Sequence, residues 1–194
     1  MVLSAGENVV LMTPEEFMAH PVPDGKAELV RGELRVTPPP GGPHGLAATN
    51  LLYLIESFAR PRKLGRAFSD GTGYELLRLP RTVRMPDVSF VRAQRLPKEG
   101  VGPGLLRLAP DLVVEVLSPA ETAWELQEKL DDYAAAGTSL IWVVDPQRRT
   151  VMIVAANAPL QWLHEADTLD GSDVIRGFAC AVSDIFEGIA RSSR

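Results

Sequence analysis

Glu115 stands inside Leu112-Val113-Val114-Glu115-Val116-Leu117, a carboxylate in the middle of an aliphatic run. Burying it alone would cost on the order of several kcal/mol, so it can stay charged only beside a cation. Two further elements supply chemistry: Met85-Pro86-Asp87-Val88 upstream and Glu128-Lys129 downstream on a predicted helix. An Asp after a proline, a Glu in a strand and a helical Lys are the minimum set for metal-assisted phosphodiester hydrolysis. Asp87 and Glu115 could hold Mg²⁺ with several waters remaining, as a site that must admit a phosphate requires. The metal would lower the pKa of a bound water and neutralise charge growing on phosphate oxygens. Lys129 is the candidate cation beside the attacking water. Glu125, four residues before it, could pair with it, and Tyr133, four residues after, shares its helix face.

These side chains need a scaffold, and the residue pattern predicts one. Along 112–117 the side chains alternate, with Val113, Glu115 and Leu117 on one face and Leu112, Val114 and Val116 on the other. The run is too short and too β-branched for a helix, and Pro119 ends it. Residues 122–136 read as a helix stopped by Gly137, and 139–144 as a buried strand ended by Asp145-Pro146. Strand, helix, strand makes a parallel crossover, so the predicted fold is α/β with a mixed sheet. Thr13-Pro14-Glu15-Glu16 is a capping box for a short helix reaching about Ala19. Residues 27–30 and 33–36 flank Arg31-Gly32 as a β-hairpin. The Pro- and Gly-rich segment 38–43 forbids regular structure, and Leu46, Leu51, Leu54, Ile55 and Phe58 mark an amphipathic helix over 44–59. Short strands are expected near 66–69, 73–79 and 88–91, an exposed connection over 92–110, and a closing antiparallel pair at 150–155 and 160–164.

A chain of 194 residues with 45% hydrophobic content is expected to form one domain spanning 1–194. No apolar run approaches the roughly 20 residues needed to cross a bilayer, and residues 1–12 lack the pattern of a secretory signal. A cytoplasmic protein is the expectation. Cys180 is the only cysteine, and His20, His44 and His164 lack ligand spacing, which argues against a structural zinc site. The net charge of −5 counts against a large nucleic-acid-coating surface. Its distribution is uneven: residues 60–98 carry ten basic and three acidic side chains, leaving −12 elsewhere. That segment could offer a local face to phosphates, or be solvated strand edges and loops.

Other residues carry less. His44 could contact a phosphate or act as an acid, against the simpler role of a polar helix start. Gly71-Thr72-Gly73 lacks a P-loop lysine, and Ser118 has no His in sequence context. Trp124, Trp142 and Trp162 are expected to pack rather than to stack on bases.

At these residues the chain resembles the Uma-type restriction endonuclease family within the PD-(D/E)XK nuclease superfamily. The resemblance runs from Thr13-Pro14-Glu15-Glu16-Phe17 to Ile185-Phe186. Its most specific parts are Glu28-Leu29-Val30-Arg31-Gly32-Glu33-Leu34, Pro86-Asp87-Val88, residues 110–119, Glu128-Lys129-Leu130, Tyr133 and residues 141–146. It implies a restriction-endonuclease-like mixed β-sheet flanked by helices and a Mg²⁺-dependent centre, with Mn²⁺ as substitute. Asp87 and Glu115 would be the two acids of the superfamily motif. The motif's usual lysine would fall at 117, where this chain has Leu117; in this family it has moved to the next helix, at Lys129. Glu28 matches a recurrent family acid that would add a metal or water contact. DNA is then the expected substrate, and a homodimer would pair two cuts. The alternative expectation is a catalytically inactive nuclease-like binding or assembly module.

Overall fold

Burying Leu112–Val116 on both faces requires a strand on either side and a helix above and below. The computed structural model, which describes residues 11–21, 25–77, 81–156 and 158–191, supplies all four. In chain order the elements are α1 (Pro14–Ala19), β1 (Lys26–Val30), β2 (Glu33–Thr37), α2 (Gly42–Ala59), β3 (Gly65–Ser69), β4 (Tyr74–Leu77), β5 (Thr82–Arg84), β6 (Val88–Arg92), β7 (Leu112–Val116), α3 (Ala123–Ala135), β8 (Leu140–Asp145), β9 (Thr150–Ala155), β10 (Gln161–Leu163), β11 (Thr168–Asp170), β12 (Ala179–Ala181) and α4 (Val182–Ile185). Six strands form a mixed sheet in the order β10-β9-β8-β7-β6-β3. Only β7 and β8 run parallel, joined by α3 as the crossover helix. Every residue of β7 and β8 is buried.

The two faces of this sheet differ. Ala47, Leu51, Ile55 and Ala59 of α2 pack with Val88, Phe90, Leu112, Val114 and Trp142 on one side. On the other, Leu130 and Tyr133 of α3 pack with Val113, Ile141 and Val143. Strand alternation puts Glu115 on the face of Val113, under α3. The mixed sheet flanked by helices is therefore the fold anticipated from the pattern of elements.

A second sheet of four antiparallel strands, β2-β1-β5-β4, lies beside it. Its hairpin turns at Arg31 (φ +52°) and Gly32 (φ +87°), both left-handed as a tight two-residue connection demands. In β1, Ala27 and Leu29 join Phe17 and Val83 in a small core, which turns Lys26 and Glu28 the other way.

Three expectations need correction. The strand expected over 73–79 is Tyr74–Leu77, with residues 78 and 79 outside the described set, and its partner β5 was not anticipated. Only three residues long, preceded by Arg81 and ending on Arg84, β5 shows no readable alternation. The small β11–β12 ladder was likewise too short to register. Of the tryptophans only Trp142 packs in the core; Trp124, in the first turn of α3, is 80% exposed and Trp162, on the edge strand β10, 56%. Within the expected connection over 92–110, residues 97–104 are exposed, but Leu106 is buried and bridges to Tyr74. No helix among the described residues is long and apolar enough to cross a membrane.

α3 begins with a complete capping box: Thr122 Oγ1 accepts from Glu125 N (3.2 Å), and the Glu125 carboxylate accepts from Thr122 N (2.8 Å). It ends at Gly137, whose φ of +92° lets the chain leave the helix. Thr122→Ala should lower stability by about 1 kcal/mol, read as a reduced urea midpoint, while Thr122→Ser should retain most of it.

Candidate functional site

Glu115 is 1% exposed, and two groups from α3 reach it. Lys129 Nζ lies 3.0 Å from Oε2, and the Tyr133 hydroxyl donates to Oε1 at 2.7 Å. These positions, four residues apart on one helix face, meet a carboxylate on the strand that the helix follows. Burial pushes the Glu115 carboxyl above the ordinary range, and Lys129 only partly pulls it back. Burial opposes charge on Lys129 as well, but Glu115, Glu28 and Glu121 outweigh it and raise its pKa, so the ammonium stays protonated. Glu121 shares this lysine, with Nζ–Oε1 at 2.7 Å. Glu125 does not pair with Lys129 as the i,i+4 spacing suggested. Its carboxylate is occupied by the helix cap.

Asp87 comes level with Glu115 because the antiparallel register Val88↔Val114 continues one residue beyond β6. Its backbone N–H donates to Val114 O, and its Oδ2 accepts from Val116 N at 2.8 Å, locking it to the end of β7. Lys26 Nζ sits 2.7 Å from Oδ1 and His44 Nε2 3.0 Å from Oδ2. Burial alone would raise its pKa; the His44 hydrogen bond and the Lys26 charge reverse that and hold the carboxyl well below its usual range. The second Pro-Asp pair does different work. Asp111 accepts from Arg92 N and pairs with Arg95, and is a structural turn residue.

Glu28 faces the same region from the second sheet. Its Oε2 accepts from Arg84 (2.9 Å) and its Oε1 from Met85 N (2.8 Å). Arg84, 3% exposed, also grips Asp132 (2.6 Å) and lies 3.5 Å from Glu128 on α3, while Arg31 pairs with Glu128 from the hairpin turn. Burial works against the Glu28 charge, but Arg84, Lys129, Lys26 and the Met85 N–H together outweigh it and lower its pKa.

Glu28, Asp87 and Lys129 line one cleft of about 230 Å³, with Lys26 and His44 on its wall, and Glu115 lies behind them. The charges sense one another: Asp87 and Glu28 both push the Glu115 pKa upward. A carboxylate offers about four lone-pair sites. Asp87 uses three, on Lys26, Val116 N and His44, and Glu115 two, on Lys129 and Tyr133. Oxygen donors with capacity left over suit a hard cation that keeps much of its water. Among the described residues no group of three or more His, Cys, Asp and Glu is placed to hold a metal ion by protein ligands alone.

The structure thus brings Asp87, Glu115, Lys129 and Glu28 to one place. Lys26 and Arg84 were missed by sequence reasoning, and His44 was not linked to Asp87. Lys26 carried a readable signal: it stands one residue before the predicted strand 27–30 and two before Glu28, so extending that strand by one residue puts both on one face. Arg84 carried none, because its partners Glu28, Glu128 and Asp132 are scattered.

Comparison with protein-family models matches residues 14–183 to Uma2, described as "Putative restriction endonuclease". Among solved structures, the chain is similar to a "putative nuclease belonging to DUF820" from Anabaena variabilis ATCC 29413, at 21% identity and TM-score 0.79, over 90% of this chain and 97% of that one. A DrdV–DNA complex matches with TM-score 0.35 and 14% identity, over 71% of this chain and 78% of that one. No curated protein matches.

Arg84→Met would leave Glu28 and Asp132 buried without their cation and should cost about 3–5 kcal/mol; Arg84→Met with Asp132→Asn and Glu28→Gln should recover part of that in urea unfolding. Glu28 and Asp87 titrate lower folded than unfolded. Their stabilisation is therefore complete above about pH 4, the unfolded carboxylate range, and is lost as pH falls. Glu115, raised by burial, acts in the opposite sense. Stability measured from about pH 5 downward should drop less steeply in Glu28→Gln than in wild type.

Proposed function

We propose that this chain, which belongs to the Uma2 family, is a metal-dependent endonuclease that hydrolyses DNA phosphodiester bonds. The observation that carries the reading is Lys129 Nζ at 3.0 Å from the buried Glu115, on a cleft whose wall also presents Asp87 and Glu28. Asp87 and Glu115 would hold Mg²⁺, or Mn²⁺ in its place. Bound there, such an ion supplies an acidified water and neutralises charge on the phosphate. Lys129 remains an ammonium, so its part is to donate to the attacking water or a phosphate oxygen, not to accept a proton. Glu28, its two oxygens fixed by Arg84 and Met85 N, would accept a hydrogen bond from water in the cleft. Tyr133 and the main chain of Val116 orient the two acids.

One observation favours a second reading, a nuclease-like binding or assembly module without catalysis. Glu121, Glu125 and Glu128 all line the cleft and would repel an approaching phosphate. Plasmid and oligonucleotide cleavage decides between the two. With Mg²⁺ or Mn²⁺ the wild type should cut DNA. Asp87→Asn and Glu115→Gln should abolish cutting, and Lys129→Gln should slow it by about 10²–10³-fold. Equal rates in these variants would reject the catalytic reading; no cutting, together with no Mn²⁺-induced rise in melting temperature, would favour the second. A homodimer would let two such sites cut both strands, and sedimentation of the intact protein measures it.

A further inference from the structure

The concave surface does not stop at the carboxylates. Ser118 and Glu121 line both the catalytic cleft and a neighbouring depression of about 270 Å³. Gln147 and Arg148 line both that depression and a larger cleft of about 410 Å³, walled by Arg149, His164 and Arg191. The path follows one edge of the six-stranded sheet. The ends of β7 and β8, the start of β9 and the end of β10 all lie on the side of the sheet where Glu115 and Asp145 emerge, as their pairing directions require.

We propose that this arginine cleft binds the phosphodiester backbone of the same DNA strand, to one side of the bond that is cut. The proposal rests on the nuclease reading for the identity of the strand and extends it with a second anchoring point. Adjacent strands lie about 4.8 Å apart, so three steps from β7 to β10 span about 14 Å. That is roughly four nucleotides of one strand of a duplex, at about 3.4 Å each.

The cleft is built for an anion. Arg149 stands in the β8–β9 turn with φ +54°, a conformation costly for a non-glycine residue. Its guanidinium is held by Glu165 at 2.6 Å, by Ile189 O at 3.3 Å and over the Phe186 ring at 5.1 Å. Its Nε is buried without a partner, so the donors that reach the cleft surface are those of Arg148 and Arg191 beside it, 81% and 75% exposed. Glu165 also binds Arg191 through both oxygens at 3.0 Å, which sets the two guanidiniums side by side. Arg148 is 81% exposed and its bond to Asp145 is a surface pair worth little. Three arginines face two carboxylates, Asp145 and Glu165, so their charges leave a positive excess.

Arg148 and Arg191 are exposed, so replacing them should leave the fold intact. Binding is read by fluorescence anisotropy with a fluorescein-labelled duplex of about twenty base pairs, in EDTA, across a salt series. Arg148→Ala with Arg191→Ala should weaken binding about tenfold or more and flatten the log–log salt slope by about two. Arg176→Ala with Lys98→Ala, both exposed and off this path, should stay within about twofold of wild type. Unchanged affinity and slope in the first pair, an equal loss in the second, or wild type that fails to bind the duplex would each overturn the proposal. Metal-dependent cutting by the same wild-type protein, and its dependence on Asp87, reports separately on the nuclease reading.

Discussion

A carboxylate buried in the middle of an aliphatic sheet is the constraint from which the rest of the molecule follows. At an effective dielectric of about 20, unit charges about 3 Å apart attract by about 5 kcal/mol, the same order as the penalty for desolvating the carboxylate. The Lys129 contact therefore roughly balances the burial of Glu115 and leaves no surplus. The residual upward push on the Glu115 pKa is the sign of that shortfall, and Glu121 deepens it by sharing the same ammonium. A centre whose negative charge is incompletely matched from within is one that favours a further cation. The same balance explains why α3 must dock where it does, since moving it would strip Glu115 of both Lys129 and Tyr133.

The docking of α3 is secured from two directions. Its apolar stripe, Leu130 and Tyr133, packs on the six-stranded sheet. Its acidic stripe, Glu128 and Asp132, is tied to the second sheet through Arg84 and Arg31. Arg84 fixes Glu28 in the same act, so one buried guanidinium couples the helix carrying Lys129 to the strand carrying Glu28. Lys26, two residues before Glu28, reaches Asp87 and closes the circuit between the sheets. The carboxylates thus sit where two sheets and a helix converge, and no single element could hold them.

What was legible in the chain was whatever obeys a local rule. The capping box at Thr13, the hairpin at Arg31-Gly32, the stop at Gly137 and the strand–helix–strand unit are each written in neighbouring residues. Glu115 announced itself by violating its own local pattern. The arrangement around Arg84 was invisible because it depends on β5, three residues long, and on acids drawn from β1 and α3. Trp124 misled for a related reason. Its aromatic character suggests packing, but its place in the first turn of α3, ahead of the buried stripe, decides its exposure.

The charge distribution changes meaning once the contacts are known. The ten basic side chains of residues 60–98 suggest a face for phosphates, yet half are already engaged. Arg84 is buried among acids, Arg92 and Arg95 serve Asp111, Arg66 holds Glu56, and Arg62 lies over the Phe58 ring. Lys26 and Lys129 are likewise committed within the cleft. A protein of net charge −5 that spends its cations internally has little general attraction for a polyanion. Among the guanidiniums that stay at the surface, Arg148 and Arg191 of the Arg149 cleft lie on the same sheet edge as the carboxylates. A strand anchored at that cleft would lie in a fixed register relative to the carboxylates, as the proposed hydrolysis of one bond requires.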